Sequence, residues 1–301
     1  MTAPARTRPD RETVAARLLK GSAAHSLDPV VDVDWDRPLD RTLPAFPLHR
    51  VTLHGTPLWD EMTDEQRVQL SWHEFASTAR VGLWFELILM QMLLRQSYDQ
   101  DPSTGSAQYA LVEVGDETRH SVMFARAAAL LAPGNDYGPS RLVHELGRLF
   151  KSTASGPAMY ASVLVAEETL DRGQREMMDD PTLLPLAREV ARIHVTEEAR
   201  HVSYARDAVA RQVPALSWPQ LAHAQVLTAV VAQLIVDAMI DPAVYTAVGL
   251  DRGRAVAEAR ASEQRRETRL WTAEKVTGFL TEVGLIDGPA TALWRRAGLV
   301  R

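Results

Sequence analysis

The chain has 301 residues, 46% hydrophobic and 24% charged, which suits a soluble globular protein of one large domain or two small ones. Its 39 acidic against 33 basic residues leave a net charge of -6, which gives no blanket attraction to nucleic acid or to an anionic membrane. With no cysteine, disulfides, thiolate zinc sites, iron–sulfur clusters and a cysteine nucleophile are excluded together, and any metal must take oxygen and nitrogen ligands.

Residues 1–60 carry many prolines and turn residues and are expected to form an extended arm that wraps the domain or a partner subunit. The first 45 lack the continuous apolar stretch of a secretory signal, so a cytoplasmic location is expected. Residues 61–301 are expected to form a single all-helical domain, with its functional core within about 64–213. Thr63 with Gln66 makes a capping box, and apolar positions then recur at helical spacing to about Arg95. A second helix runs to Leu131, ahead of Pro133-Gly134, and a shorter one from about Ser140 to Lys151. Pro157 opens the next, to about Met178, and Pro181 and Pro185 open another that ends near Val213. Pro219 opens a sixth, to Ile240; its apolar run from Ala224 is broken by Gln225, Thr228, Gln233 and Asp237 and is expected to be a buried bundle helix rather than a membrane span. Shorter helices are expected around Arg254–Arg269, Ala273–Val283 and Pro289–Arg296. No segment alternates like a strand.

Two stretches resemble each other: DETRH at 116–120 and EEARH at 197–201. Each places a Glu three residues before a His, so Glu117 with His120, and Glu198 with His201, project from one face of a helix. With nine His and 39 acids in the chain, about one such pair arises by chance, so the spacing alone decides little. The longer agreement decides more: acid, Glu, Arg and His recur at matched offsets on separate helices, as a two-fold-related dimetal site in a bundle requires.

Such a site needs one Glu from each of two further helices. Glu86 lies inside VGLWFELILMQMLL, where a buried carboxylate is costly unless paired or metal-bound; the alternative is that it points outward or meets an arginine. Gly82, one turn earlier, leaves open space beside it. Glu167, in MYASVLVAEETL, shares a stripe with Tyr160, Val163, Leu164 and Leu170, which favours it over Glu168. His194, Glu198 and His201 stand at i, i+4 and i+7, although a lone His on an amphipathic helix is more often an ordinary half-buried side chain. Four carboxylates balance two divalent ions, and a mixed oxygen and nitrogen set suits iron or manganese better than calcium or magnesium, with zinc compatible by ligand type. Asp116 and Glu197, just ahead of each Glu-x-x-His pair, are placed to accept the outer ring N–H of the His on the opposite helix.

On Glu86, on DETRH, on Glu167 and on HVTEEARH at 194–201, the sequence resembles the p-aminobenzoate N-oxygenase family of ferritin-like diiron oxygenases over roughly residues 60–240. The resemblance implies a ferritin-like four-helix-bundle core with additional helices, and makes His194 a ligand beside Glu86, Glu117, His120, Glu167, Glu198 and His201. It further implies two iron ions, with manganese less favoured, and a homodimer. The implied reaction passes through a peroxo-diferric species that oxidises an arylamine nitrogen to hydroxylamine and on toward nitro. Arg80 and Arg172 lie near ligand-bearing stretches and could meet a substrate carboxylate. No cysteine and no glycine-rich dinucleotide fingerprint are present, so the electrons must come from an external donor or reductase. The competing readings are a diiron C–H hydroxylase or desaturase, a non-catalytic iron-binding or ferroxidase protein, and a helical interaction protein whose carboxylates pair with arginines.

Overall fold

The computed structural model describes residues 9–301, and among them every regular element is helical. In chain order these are α1 Arg11–Ala24, α2 Pro29–Asp32, α3 Pro57–Glu61, α4 Asp64–Tyr98, α5 Gly105–Leu131, α6 Arg141–Thr153 and α7 Gly156–Met178. Then follow α8 Pro185–Gln212, α9 Trp218–Ala238, α10 Ala243–Ala247, α11 Arg252–Ala261, α12 Glu263–Glu282 and α13 Thr291–Ala297.

The core is a closed ring of four helices: α4 packs on α5, α5 on α8, α8 on α7, and α7 on α4. Short connections at 99–104 and 179–184 make α4–α5 and α7–α8 antiparallel pairs, while the link from α5 to α7 crosses the bundle through α6. The start of α4 is set by its capping box, with the Gln66 N–H donating to Thr63 Oγ1 at 3.2 Å and the Thr63 N–H donating to Gln66 Oε1 at 3.0 Å. Helices α9 and α12 cover α7, and α6 lies on α4. The approach of α6 is close: a Cβ on Gly147 would overlap the Trp84 ring.

The segment expected to be an extended arm contains the 14-residue helix α1. Asp10 caps it by accepting the Thr13 N–H at 2.9 Å, and Val14, Ala15 and Leu18 bury one narrow edge against α5 and α8. The apolar stripe is only that wide, so the sequence pattern of helix is weak there. The helix expected over Arg254–Arg269 is divided instead at Ser262, whose hydroxyl accepts the Arg265 N–H at 3.1 Å and caps α12, and α12 runs through both segments once read as separate.

By length and composition alone, the segments Asp64–Tyr98 and Trp218–Ala247 are apolar enough to cross a membrane, which for the second differs from the sequence expectation. In α4 that apolar stretch lines the bundle interior around Glu86. In α9 the buried edge is Ala224, Thr228, Ala229, Ala232 and Ile235, while Trp218, Val226 and Val230 are exposed.

Candidate metal centre

The four ring helices each deliver buried polar side chains to the same interior volume. Glu86 comes from α4, Glu117 and His120 from α5, Glu167 from α7, and His194, Glu198 and His201 from α8; all seven are at least 97% buried. Donor atoms lie within 4.8 Å of one another in four groups that could hold a metal: Glu86/His120/His194, Glu117/His120/Glu198, Glu167/His194/Glu198 and Glu113/Glu117/His201. All seven residues named from the sequence are therefore in one cluster. Glu168, the alternative to Glu167, turns away and accepts from Arg206 Nε at 2.7 Å.

The ring nitrogens are oriented. His120 Nδ1 lies 2.9 Å from Glu117 and 3.3 Å from Glu198, and its Nε2 lies 2.9 Å from Glu197. His201 repeats the pattern, with Nδ1 3.0 Å from Glu198 and Nε2 3.2 Å from Asp116. Each outer ring nitrogen thus meets the acid that precedes the Glu-x-x-His pair of the opposite helix. Those acids are held in turn: Asp116 by Arg119, and Glu197 by the Leu27 N–H at 3.1 Å, a contact from the chain that follows α1. His194 is reversed. Its Nδ1 lies 2.8 Å from Gln174 Oε1, which fixes the proton on Nδ1 and turns the Nε2 lone pair inward, 3.5 Å from Glu86 and 3.7 Å from Glu198.

Several inward atoms have no hydrogen-bond partner: Glu86 Oε2, Glu198 Oε2, Glu113 Oε2 and His194 Nε2, while Glu117 Oε1 lies 2.8 Å from His201 Nδ1. Buried polar atoms are normally satisfied, and an orphaned one costs about 1–3 kcal/mol. Four converging on one volume fit the donor set of a metal site and fit nothing apolar. The charge pattern agrees. Burial first, then repulsion from Glu117, Glu167 and Glu198, raises the Glu86 carboxyl well above its ordinary range, and burial with Glu198 and Glu117 does the same to Glu167. Burial opposes charge on His120 and His201, but the surrounding carboxylates outweigh it and hold both imidazoles protonated well above the usual pH. At His194 burial, aided by the neighbouring His120 and His201, outweighs the pull of Glu198 and Glu117, lowers it to about 4 and keeps it neutral. Without a cation the cluster retains protons in its place, so metal binding must release them.

Two cavities flank the cluster. One of about 200 Å³ runs between Gly82, Phe124, Gln174 and Trp271, and is separated from His194 by Phe124 and Gln174, which touch its ring. Gly82 lines it, and a Cβ there would come into ordinary contact with the Phe124 ring, 3.4 Å away. The other, about 490 Å³, is mostly apolar and lies between α4, α6, α7 and α9, with Glu167 in its wall. The two arginines considered for a substrate carboxylate face neither cavity: Arg80 pairs with Asp136 at the surface, and Arg172 donates to the Trp271 carbonyl at 2.7 Å and pairs with Glu274.

Spacing did not single out Glu113 or Gln174. Glu113 is buried one turn before Glu117, where burial pushes its carboxyl up to about 8. Gln174 sits two turns after Glu167 on the same stripe of α7. Both lay on helix faces already read as inward, and that was the available signal.

The fold and the cluster define a class: a helical bundle with a buried carboxylate and histidine centre able to bind metal. The model of the family described as P-aminobenzoate N-oxygenase AurF matches residues 8–284, and the chain belongs to that family. It is also similar to the uncharacterized protein Mb0909 of Mycobacterium bovis and the uncharacterized protein Rv0885 of Mycobacterium tuberculosis, each 29% identical over 212 residues. These alignments take in 67% of this chain and 61% of each relative.

Proposed function

We propose that the chain is a non-haem diiron oxygenase that transfers oxygen to the nitrogen of an arylamine. Glu86, Glu117, His120, Glu167, His194, Glu198 and His201 would hold two iron ions, and Asp116 and Glu197 would hold the outer ring N–H groups. The observation that carries the reading is the convergence of buried donor atoms from four helices on one volume, several of them unpartnered, in a chain of the p-aminobenzoate N-oxygenase family. Iron bound there supplies the activation of dioxygen. In each amine-to-hydroxylamine step one oxygen atom goes to nitrogen and the other leaves as water, so two electrons and two protons must come from an external donor or reductase.

The chain's own residues do the rest. Asp116, Glu197 and Gln174 hold the three imidazoles in one tautomer each. Cavities of about 150 Å³ accept a single benzene ring, so the 200 Å³ space beside Gly82 and Phe124 supports an amine with one aromatic ring and small substituents. Its wall at Phe75, Ala79, Phe124 and Val190 is apolar and suits the face of an aromatic ring. The exposed apolar side chains Leu142, Leu149, Trp218 and Val226 on α6 and α9 support the expected homodimer.

The test is to load the full chain with iron, reduce it, add dioxygen and a panel of arylamines, and follow products by mass spectrometry alongside iron per chain. Two irons and oxygen added at nitrogen are expected. Two irons with product oxidised only at carbon would favour the C–H hydroxylase or desaturase reading. Many irons per chain with no organic product would favour iron handling, and a chain that takes up no iron would sink the proposal.

A further inference from the structure

The helix bearing His194, Glu198 and His201 has a counterpart in α5, where Glu113, Glu117 and His120 occupy the same i, i+4 and i+7 positions. The two upstream residues behave alike. His194 shares a donor group with Glu86 and with His120 of the opposite helix; Glu113 shares one with Glu117 and with His201 of the opposite helix. Glu113 is 98% buried, its Oε2 has no hydrogen-bond partner, and no ion pair reaches it among the described residues. Arg200 on α8 stands in ion-pair range of Asp116 at 3.5 Å and Glu197 at 3.6 Å rather than of Glu113, although its Nε and Nη2 make no hydrogen bond.

A buried carboxyl without a partner is destabilising whether neutral or charged, so the site must compensate it. Two ligands about 2.1 Å from one ion stand at most about 4.2 Å apart, and donors already within 4.8 Å reach that with small side-chain shifts. Among the four groups, the one with Glu113 is the only one containing His201. Without Glu113, that group offers His201 and Glu117, a carboxylate that also falls in the group around His120.

We propose that Glu113 is an eighth protein donor, binding the ion on the His201 side. The inference rests on the dimetal reading above. It makes the two halves of the centre unequal: His194 gives a neutral nitrogen to one side, and Glu113 gives an anionic oxygen to the other. Five carboxylates then surround two ions, which favours their more highly charged oxidised state.

The test uses the full chain as wild type, Glu113→Gln and Glu113→Leu. Iron binding is followed by calorimetry under anaerobic conditions, the bound iron by Mössbauer spectroscopy, and the melting of the metal-free forms by circular dichroism. Wild type should bind two irons in two spectroscopically distinct environments. Each variant should keep one of them and bind the other at least about 10- to 100-fold more weakly, the range seen when only a group supporting a ligand is removed. Metal-free Glu113→Leu should melt at or above the wild-type temperature, because an unpaired buried carboxyl has gone. Two irons bound as in wild type by both variants would overturn the assignment to Glu113 alone. So would a marked drop in the melting of both metal-free variants, which is the mark of a purely structural role. Wild-type protein that takes no iron would overturn the dimetal reading and this inference together.

Discussion

His120, His194 and His201 are chemically identical side chains that the fold puts to different use. His120 and His201 turn Nδ1 inward and back Nε2 with a carboxylate, while His194 turns Nε2 inward and backs Nδ1 with the Gln174 amide. A carboxylate behind the ring raises the basicity of the inward nitrogen more than an amide does, so the His194 side is the weaker electron donor. Which nitrogen faces inward depends on rotamers that spacing along a helix does not specify. Away from the centre, Glu74 gives a titration that can be isolated. It is fully buried, accepts the Thr52 N–H at 3.1 Å and the Thr52 hydroxyl, and burial outweighs these bonds to push its carboxyl from 4.5 to about 7. A carboxyl whose pKa is raised on folding contributes stability that is full below about pH 4.5 and is lost as pH rises through 7. Glu74→Gln should remove that loss, worth about 3 kcal/mol on the shift alone. Urea unfolding of wild type and variant at pH 5 and pH 8 checks it; an equal pH dependence in the two proteins would count against it.

At the scale of elements, α4 does two jobs with one apolar run: it brings Glu86 inward and seats α6 on Trp84 and Ile88. The contact depends on the absence of a side chain at Gly147. Gly147→Ala must displace the Trp84 ring or lift α6, and overpacking of this kind destabilises by about 1–3 kcal/mol. Denaturant unfolding should show that loss; an unchanged midpoint would mean that α6 shifts freely. Because Trp84 and Gly147 both line the larger cavity, its volume should change as well. Helix α1 is the longest element that sequence reading missed, alongside the short α2, α3 and α10, and it matters to the centre through the chain just after it, where the Leu27 N–H holds Glu197 behind His120. Three buried apolar residues in 14 are too thin a stripe to separate a helix from a proline-rich arm by pattern. The break at Ser262 escaped notice for a related reason, since a serine that caps and a serine that merely sits on a helix look the same in sequence.

At the scale of the whole molecule, the four ring helices enclose a cluster of buried carboxylates and imidazoles able to bind metal, with several donor atoms unpartnered. Iron should therefore stabilise the fold: at 100 times its dissociation constant a ligand adds about 2.7 kcal/mol per site. Anaerobic ferrous iron should raise the melting temperature by several degrees and a strong chelator should reverse it; a melting temperature indifferent to both would argue that the cluster binds no metal. The all-helical class, most helix starts, and the two Glu-x-x-His pairs were legible because capping residues, prolines and a 3.6-residue period are local properties of the chain. Glu86 stood out because a charge inside a long apolar run has few places to go. The choice of Glu167 over Glu168 was narrower, and the structure separates them by facing Glu168 to Arg206, a residue 38 positions away. The same holds for Gln174 behind His194, for Leu27 behind Glu197, and for Glu113 beside His201. By itself, then, the sequence determined that helices would form here and which of their faces carry carboxylate and imidazole. Only the tertiary structure decided which of those groups meet, through which atoms and against which supports, because those distances are set by how helices far apart in the chain pack together.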